Sequence, residues 1–217
     1  MAYQKRIVCF FDILGFGDVV RNSTMNSENI GKMFDEIHDI IIQYKNDKIQ
    51  ISHFSDSIII SVEQLQSPDQ LRFIRDVLMK LLENKLLARG AMVFGEICHT
   101  ESHIFGPALV KAVSLEKKAI YPRIILHESL DDSPLPTIGN GSINHRDFYN
   151  NFFMVKTDDT DGEYYIDLIG TILKLPSEIS ETLMENVKQL IIHNIGNNEL
   201  FEKYSWLKIK MDASIQV

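Results

Sequence analysis

The sequence predicts an α+β sandwich, a mostly antiparallel sheet with helices packed on it. Three observations carry that prediction. Short β-branched and aromatic runs alternate with stretches of three- and four-residue apolar spacing. Two pairs of such runs are joined by hairpin turn signals, and the chain then closes on helical patterns.

Taken in order, "RIVCFFDIL" is a continuous apolar run, as in a strand covered on both faces. Ser27 caps a helical pattern in which Ile30, Met33, Phe34, Ile37, Ile40, Ile41 and Tyr44 share one side. Residues 49–62 alternate and then run apolar, which predicts a hairpin turning near Ser55 and Asp56. Ser67 and Pro68 start a second helix, with Leu71, Ile74, Val77, Leu78, Leu81 and Leu82 on its apolar face. Residues 88–97 return as a strand, "GPALVKAVSLEKKA" forms a helix with Pro107 in its first turn, and "YPRIILH" is a strand. Residues 129–147, rich in Ser, Asp, Pro, Gly and Asn, read as a long surface loop. "NFFMVKT" and "EYYIDLIG" flank Asp161-Gly162, a hairpin turn signal. Ser177 opens a C-terminal helix carrying Leu183, Val187, Leu190 and Ile191, and Gly196 ends it. The 217 residues are read as one domain, a core over about 5–170 and a helical extension over 171–217.

With 45% hydrophobic and 24% charged residues, the composition is globular. No apolar run approaches the roughly 20 residues that span a bilayer, and the polar start "MAYQKR" is not a signal peptide. Cys9 and Cys98 are too few and too far apart for a zinc site or a disulfide framework. They are expected as buried reduced thiols, which points to the cytoplasm. A net charge of -8 argues against nucleic acid or an anionic membrane as partner. An anionic small ligand remains compatible, given metal ions or a local cluster of Lys and Arg.

Two acids stand out. Asp12 ends the first apolar strand, and Asp56 sits within "HFSDSIII". A carboxylate among so much hydrocarbon has to be paired, hydrogen-bonded or metal-bound. Singly, Asp12 also fits a helix-capping role and Asp56 a hairpin turn. Together, on a strand and a hairpin that can be neighbours in one sheet, they point to magnesium, which takes one or two carboxylates beside phosphate oxygens and water. Gly15 and Gly17 then remove side chains where phosphates approach backbone N–H groups at a helix start. The glycine turn matches neither of the common phosphate-loop signatures; the neighbouring acid is what makes it informative.

"FFDILGFG" resembles the first metal-binding strand and phosphate loop of class III nucleotidyl cyclases, and "FSDSIIIS" resembles their second metal hairpin. The interval of 44 residues between the acids (56 minus 12) suits that family. "ARGAMVFGEI" and "HIFGPALVKAVSLEKKAIYPRI" continue the likeness in order over about residues 5–170. More narrowly, "FFDILGFG", "FSDSI", "LARGA" and "LEKKAIYPRI" resemble the small stand-alone pyrimidine cyclases of bacterial Pycsar anti-phage systems. The resemblance implies that UTP or CTP is converted to its 3′,5′-cyclic monophosphate, cUMP or cCMP, plus pyrophosphate. A separate effector protein reads the product. It implies two Mg²⁺ or Mn²⁺ ions held by Asp12, Asp56 and the carbonyl of Ile13, with phosphates cradled at Gly15, Phe16 and Gly17. It implies a homodimer with sites at the interface, one subunit giving the acids and the other residues such as His103 and Lys111.

The same alignment departs from the family in two places. Ser52 and His103 occupy the base positions, and neither the Lys–Asp nor the Glu–Cys pair of the purine cyclases is present. Hydroxyl and imidazole suit a pyrimidine edge without choosing between C and U; His103 also fits an exposed loop. The Asn and Arg that steady the transition state fall on Val110 and Ser114. Arg89 or Lys111 would supply the missing charge. Arg89 also fits a strand-end arginine paired to a carboxylate, and Lys111 a solvated helix face. Lys117, Lys118 and Arg123 form a basic cluster that is either solvated or, at Arg123, turned toward substrate or a partner subunit. "KTDDTDGEYY" lacks the EF-hand pattern and reads as a hairpin turn. Two rivals stand beside the cyclase: a catalytically silent cyclase-like module that binds a nucleotide or a partner, and a metal-dependent phosphohydrolase. The latter lacks the extra acids or histidines that activate water.

Overall fold

In the computed structural model, the described residues are 2–21, 27–44, 48–63, 72–133, 145–150, 154–196 and 200–215. The chain runs β1 (Gln4–Leu14), α1 (Phe16–Arg21), α2 (Ser27–Tyr44), β2 (Ile49–Phe54), β3 (Ser57–Val62), α3 (Arg72–Glu83), β4 (Leu87–His99), β5 (Ile104–Phe105), α4 (Pro107–Lys118) and β6 (Ile124–Leu126). A short 3-10 turn at Glu128–Asp132 follows, then α5 (His145–Asn150), β7 (Met154–Thr157), β8 (Tyr164–Asp167), α6 (Leu168–Leu173), α7 (Ser177–Asn194) and α8 (Phe201–Ile215). Among the described residues the sheet has eight strands, in the order β2-β3-β1-β4-β6-β8-β7 with β5 attached to β4. Among the described residues only β4 and β6 pair in parallel, so the expected mostly antiparallel sheet is observed.

β1 is central and sorts its side chains by parity, as the period of two requires. Ile7, Cys9, Phe11 and Ile13 enter a large core with α2, α3, α7 and α8. Val8 and Phe10 enter a smaller core under α4, built with Ala91, Ala108, Ala112 and Ile125. The small residues let α4 lie close: a Cβ on Gly95 would stand 3.3 Å from that of Ala108. Cys9 and Cys98 are free and buried. Among the described residues no helix is long and apolar enough to cross a membrane.

The structure corrects three local expectations. The strand read through "EYYIDLIG" stops at Asp167, and Leu168–Leu173 is helical. Asp167 caps that helix, its carbonyl accepts from Thr171 Oγ1 at 2.7 Å, and Gly170 leaves no room for a side chain beside Met154. The surface loop at 129–147 contains the end of the 3-10 turn and the start of α5, and Leu130 and Ser133 are buried. His127 opens that turn, its Nδ1 accepting from the Ser129 amide at 2.9 Å. Residues 134–144 lie outside the described residues, as do Ser67, Pro68 and Leu71.

The third correction is Arg123. It faces neither substrate nor partner: it is 2% exposed, donates to Asp158 Oδ2 at 2.8 Å and pairs with Asp161. Tyr121, Tyr165 and Trp206 surround its guanidinium, and Trp206 Nε1 donates to the same Asp158 oxygen at 2.9 Å. Its predicted basic neighbours, Lys117 and Lys118, are exposed. Asp158, at the start of the exposed acidic turn, and the arginine therefore form a buried pair that fastens α8 to the sheet.

Candidate active site

Strand register assembles the site. Phe54, Ser57, Asp12 and Arg89 stand opposite one another across β2, β3, β1 and β4, so they share one face. The next row inward on that face is Ser52, Ile59, Phe10 and Ala91, and the third carries Ser61 and Val8. This is the face on which α4 packs. Asp56 lies in the β2–β3 turn, where Ser55 takes a positive φ of 55°.

The Ile13 N–H donates to the Asp56 carbonyl at 2.9 Å, which ties the end of β1 to that turn. Ser57 Oγ donates to Asp12 Oδ1 at 3.2 Å. Burial first, and the nearby charge of Asp56 second, push the Asp12 carboxyl above its ordinary range; Ser57 and Arg89 oppose the shift. Two half-buried acids that repel one another, beside a main-chain carbonyl at Ile13, are a hard-oxygen set of the kind magnesium takes with phosphate and water. Among the described residues no group of three or more His, Cys, Asp or Glu is gathered as a metal site.

Gly15 adopts φ +73°, the left-handed region, and breaks β1 into α1. Val19 N–H donates to the Gly15 carbonyl at 3.1 Å, so the amides of Phe16 and Gly17 precede the first intrahelical donor. The Phe16 ring turns into the core against Phe34, which leaves only its backbone to the loop.

Arg89 is held by α4. Its Nε donates to Glu116 Oε1 at 2.6 Å, and a terminal nitrogen pairs with the same carboxylate. Glu116 is buried, and nothing in the helix pattern marks it; only the packing of α4 on β4 reveals it. Lys111, Val110 and Ser114 are exposed on α4 and line an open groove of about 640 Å³ with Tyr3, Phe105 and Lys118. His103 is exposed in the β4–β5 connection, where its amide bonds Thr100 Oγ1 at 3.1 Å. Among the described residues no hydrogen bond or ion pair ties the side chains of His103 or Lys111 to the acids, Arg89 or Ser52. Within one chain the structure thus gathers Asp12, Ile13, Gly15, Phe16, Gly17, Asp56 and Arg89, with Ser52 one row away.

Sequence reasoning missed the partner of Ser52. β4 outruns its pairing with β1, which ends at Gln4–Ile97, and its last residue His99 is buried. His99 Nε2 lies 3.0 Å from Ser52 Oγ, and Nδ1 lies 2.9 Å from Ser61 Oγ. A histidine at a strand end carries no sequence signal for such a bridge.

No protein-family model and no curated protein matches the chain significantly. Among solved structures it is similar to the monomeric guanylyl cyclase domain of the RhoGC fusion protein from the aquatic fungus Blastocladiella emersonii. Identity is 15%, 76% of this chain and 96% of that one are covered, and the TM-score is 0.50. A dimeric form of that domain gives 14% identity, 76% and 95% coverage and a TM-score of 0.51. A bacterial light-regulated adenylyl cyclase gives 14% identity and a TM-score of 0.50, with 87% of this chain but 57% of that one covered. The fold is therefore that of class III nucleotidyl cyclase domains.

Proposed function

We propose that this chain is a nucleotidyl cyclase that closes a pyrimidine nucleoside triphosphate, UTP or CTP, to its 3′,5′-cyclic monophosphate. The observation carrying this reading is the close approach of Asp56 to Asp12 at the end of β1, just before the Gly15 turn, in a cyclase fold. In the reaction the ribose 3′-oxygen bonds to the α-phosphorus, the bond to the β-phosphate oxygen breaks, and pyrophosphate leaves. Two Mg²⁺ or Mn²⁺ ions bound here would acidify the 3′-hydroxyl and neutralise the polyphosphate.

The chain's own residues hold and orient. Asp12, Asp56 and the Ile13 carbonyl are the oxygen donors, and the amides at 15–17 meet the β- and γ-phosphates. Arg89 stands beside Asp12 in the same row, and its attachment to Glu116 fixes where its charge sits. A homodimer brings His103 and Lys111 of one subunit to the acids of the other. Support for a partner on this face comes from Phe54, 83% exposed, and Val110, 70% exposed. Ser52 and His103, in place of either purine-reading pair, support the pyrimidine. The likeness of "FFDILGFG" and "LARGA" to Pycsar cyclases supports a cytoplasmic enzyme whose product acts on a separate effector in anti-phage defence.

The test is incubation of the purified protein with each of the four NTPs and Mg²⁺ or Mn²⁺, with mass spectrometry of the products. cUMP or cCMP well ahead of cAMP and cGMP is expected; efficient cAMP formation removes the pyrimidine assignment and keeps the two acids. No cyclic product from any NTP favours the second reading, a silent nucleotide- or partner-binding module. Val110, an exposed hydrophobe where a polar stabiliser would stand, is the observation on its side.

A further inference from the structure

Ser61, His99 and Ser52 form a polar chain on the sheet face, Oγ to Nδ1 at 2.9 Å and Nε2 to Oγ at 3.0 Å. A neutral imidazole has one N–H donor and one bare nitrogen, so one bond of the chain fixes the sense of the other. The sense is decided at Ser61. Its side chain is 0% exposed, and among the described residues His99 is the one hydrogen-bond partner of its hydroxyl. Were Ser61 to accept from Nδ1–H, its own proton would be buried with no acceptor, the costly arrangement. An unused lone pair costs far less. Ser61 therefore donates, Nδ1 is bare, the ring proton sits on Nε2, and Nε2–H donates to Ser52 Oγ. One lone pair of the Ser52 oxygen is then taken by His99, and the Ser52 proton is left to turn outward. Ser52 is half-buried, and its same-face neighbour on β2, Phe54, is exposed, so that direction is open.

We propose that His99 is a positioning residue that makes Ser52 a hydrogen-bond donor of fixed polarity toward the nucleobase. This rests on the cyclase reading, in which Ser52 stands at a base position. The base atom favoured at Ser52 is an acceptor, a carbonyl oxygen or a bare ring nitrogen; an N–H or amino group there meets only the second lone pair and leaves the Ser52 proton unpaired in the closed site, so it is disfavoured.

The first test needs no substrate. Long-range ¹H–¹⁵N correlation of the His99 ring in the intact protein is expected to show the Nε2–H tautomer. An Nδ1–H tautomer or a doubly protonated ring overturns the proposal, whether or not the protein is a cyclase. The second test is Ser61→Ala, which removes the group that keeps Nδ1 bare. The kcat/KM preference for the best base over the other three is expected to fall about tenfold, mostly through KM, and Ser61→Thr is expected to restore it. Unchanged tautomer and unchanged preference in a folded Ser61→Ala protein overturn the positioning role. A wild type with the Nε2–H ring but no cyclic product overturns the base role together with the cyclase reading, and so is distinguished from a failure of the tautomer argument.

Discussion

The amide of Ile13 donates to the carbonyl of Asp56 at 2.9 Å, and this one bond sets the second acid beside the first. The Asp12 carboxyl is pushed up by burial and then by Asp56. Because its folded-state value lies above the unfolded one, stability is full at low pH and is lost as pH rises through the raised value. Asp12→Asn in the presence of EDTA is therefore expected to raise Tm at pH 7 by about 2 °C, with the gain shrinking toward pH 4. Scanning fluorimetry across pH checks this; a lower Tm at pH 7 contradicts it.

Removal of either carboxylate is expected to abolish turnover. Asp12→Ala and Asp56→Ala should each lose at least about a thousandfold in product formation, since charge and positioning do most of the work in phosphoryl chemistry. Circular dichroism should show the fold intact. Full activity in either variant sinks the two-acid site.

A composite site predicts rescue between dead chains. Asp12→Ala and Lys111→Ala subunits, each inactive alone, form heterodimers in which one of two sites carries neither lesion. An equal mixture should recover about a quarter of wild-type activity. No recovery, with heterodimers demonstrated, places the whole site within one chain.

The Arg123 cluster predicts a structural lesion remote from the acids. Arg123→Met takes one of several partners from the Asp158 carboxylate, 0% exposed, which keeps Thr160, Trp206 and Lys210, and should cost about 1.5–3 kcal/mol in urea unfolding. Burial alone would push the Asp158 carboxyl up, but the Thr160 hydroxyl and amide, the Trp206 N–H and Lys210 outweigh it and hold it below the usual range. Its stabilisation is thus present above the unfolded value and lost as pH falls through the depressed one. Asp158→Asn should flatten that acid limb of the Tm profile, and an unchanged limb would assign it to other groups.

Two glycines should behave oppositely. A Cβ on Gly90 would stand 2.2 Å from the Phe10 carbonyl and 2.5 Å from Phe11 Cβ, so Gly90→Ala is expected to prevent folding. At Gly15 nothing lies within 4 Å, and only the positive φ opposes a side chain. Gly15→Ala should cost about 1 kcal/mol in stability while raising the KM for the triphosphate. Soluble expression and steady-state kinetics separate the two.

Parity and spacing in the sequence determined most of the fold: the buried β1, the amphipathic faces of α2 and α3, the two hairpin turns and Pro107 at the start of α4. These are local patterns, read from neighbours within one or two turns. Local pattern also singled out Asp12, Asp56 and Gly15, because an acid in hydrocarbon and a glycine after it are anomalies wherever they end up. Only the tertiary structure decided what each polar group meets. Register put Asp12, Arg89 and Ser52 on one face, packing of α4 delivered Glu116 to Arg89, and the overrun of β4 carried His99 to Ser52, 47 residues away in the chain. It also buried Arg123 between an acidic turn and α8, where the sequence suggested an exposed cation. The reason is physical: periodicity records which side of an element is dry. The partner of a charge is chosen by whichever distant element closes over it, and no local spacing encodes that choice.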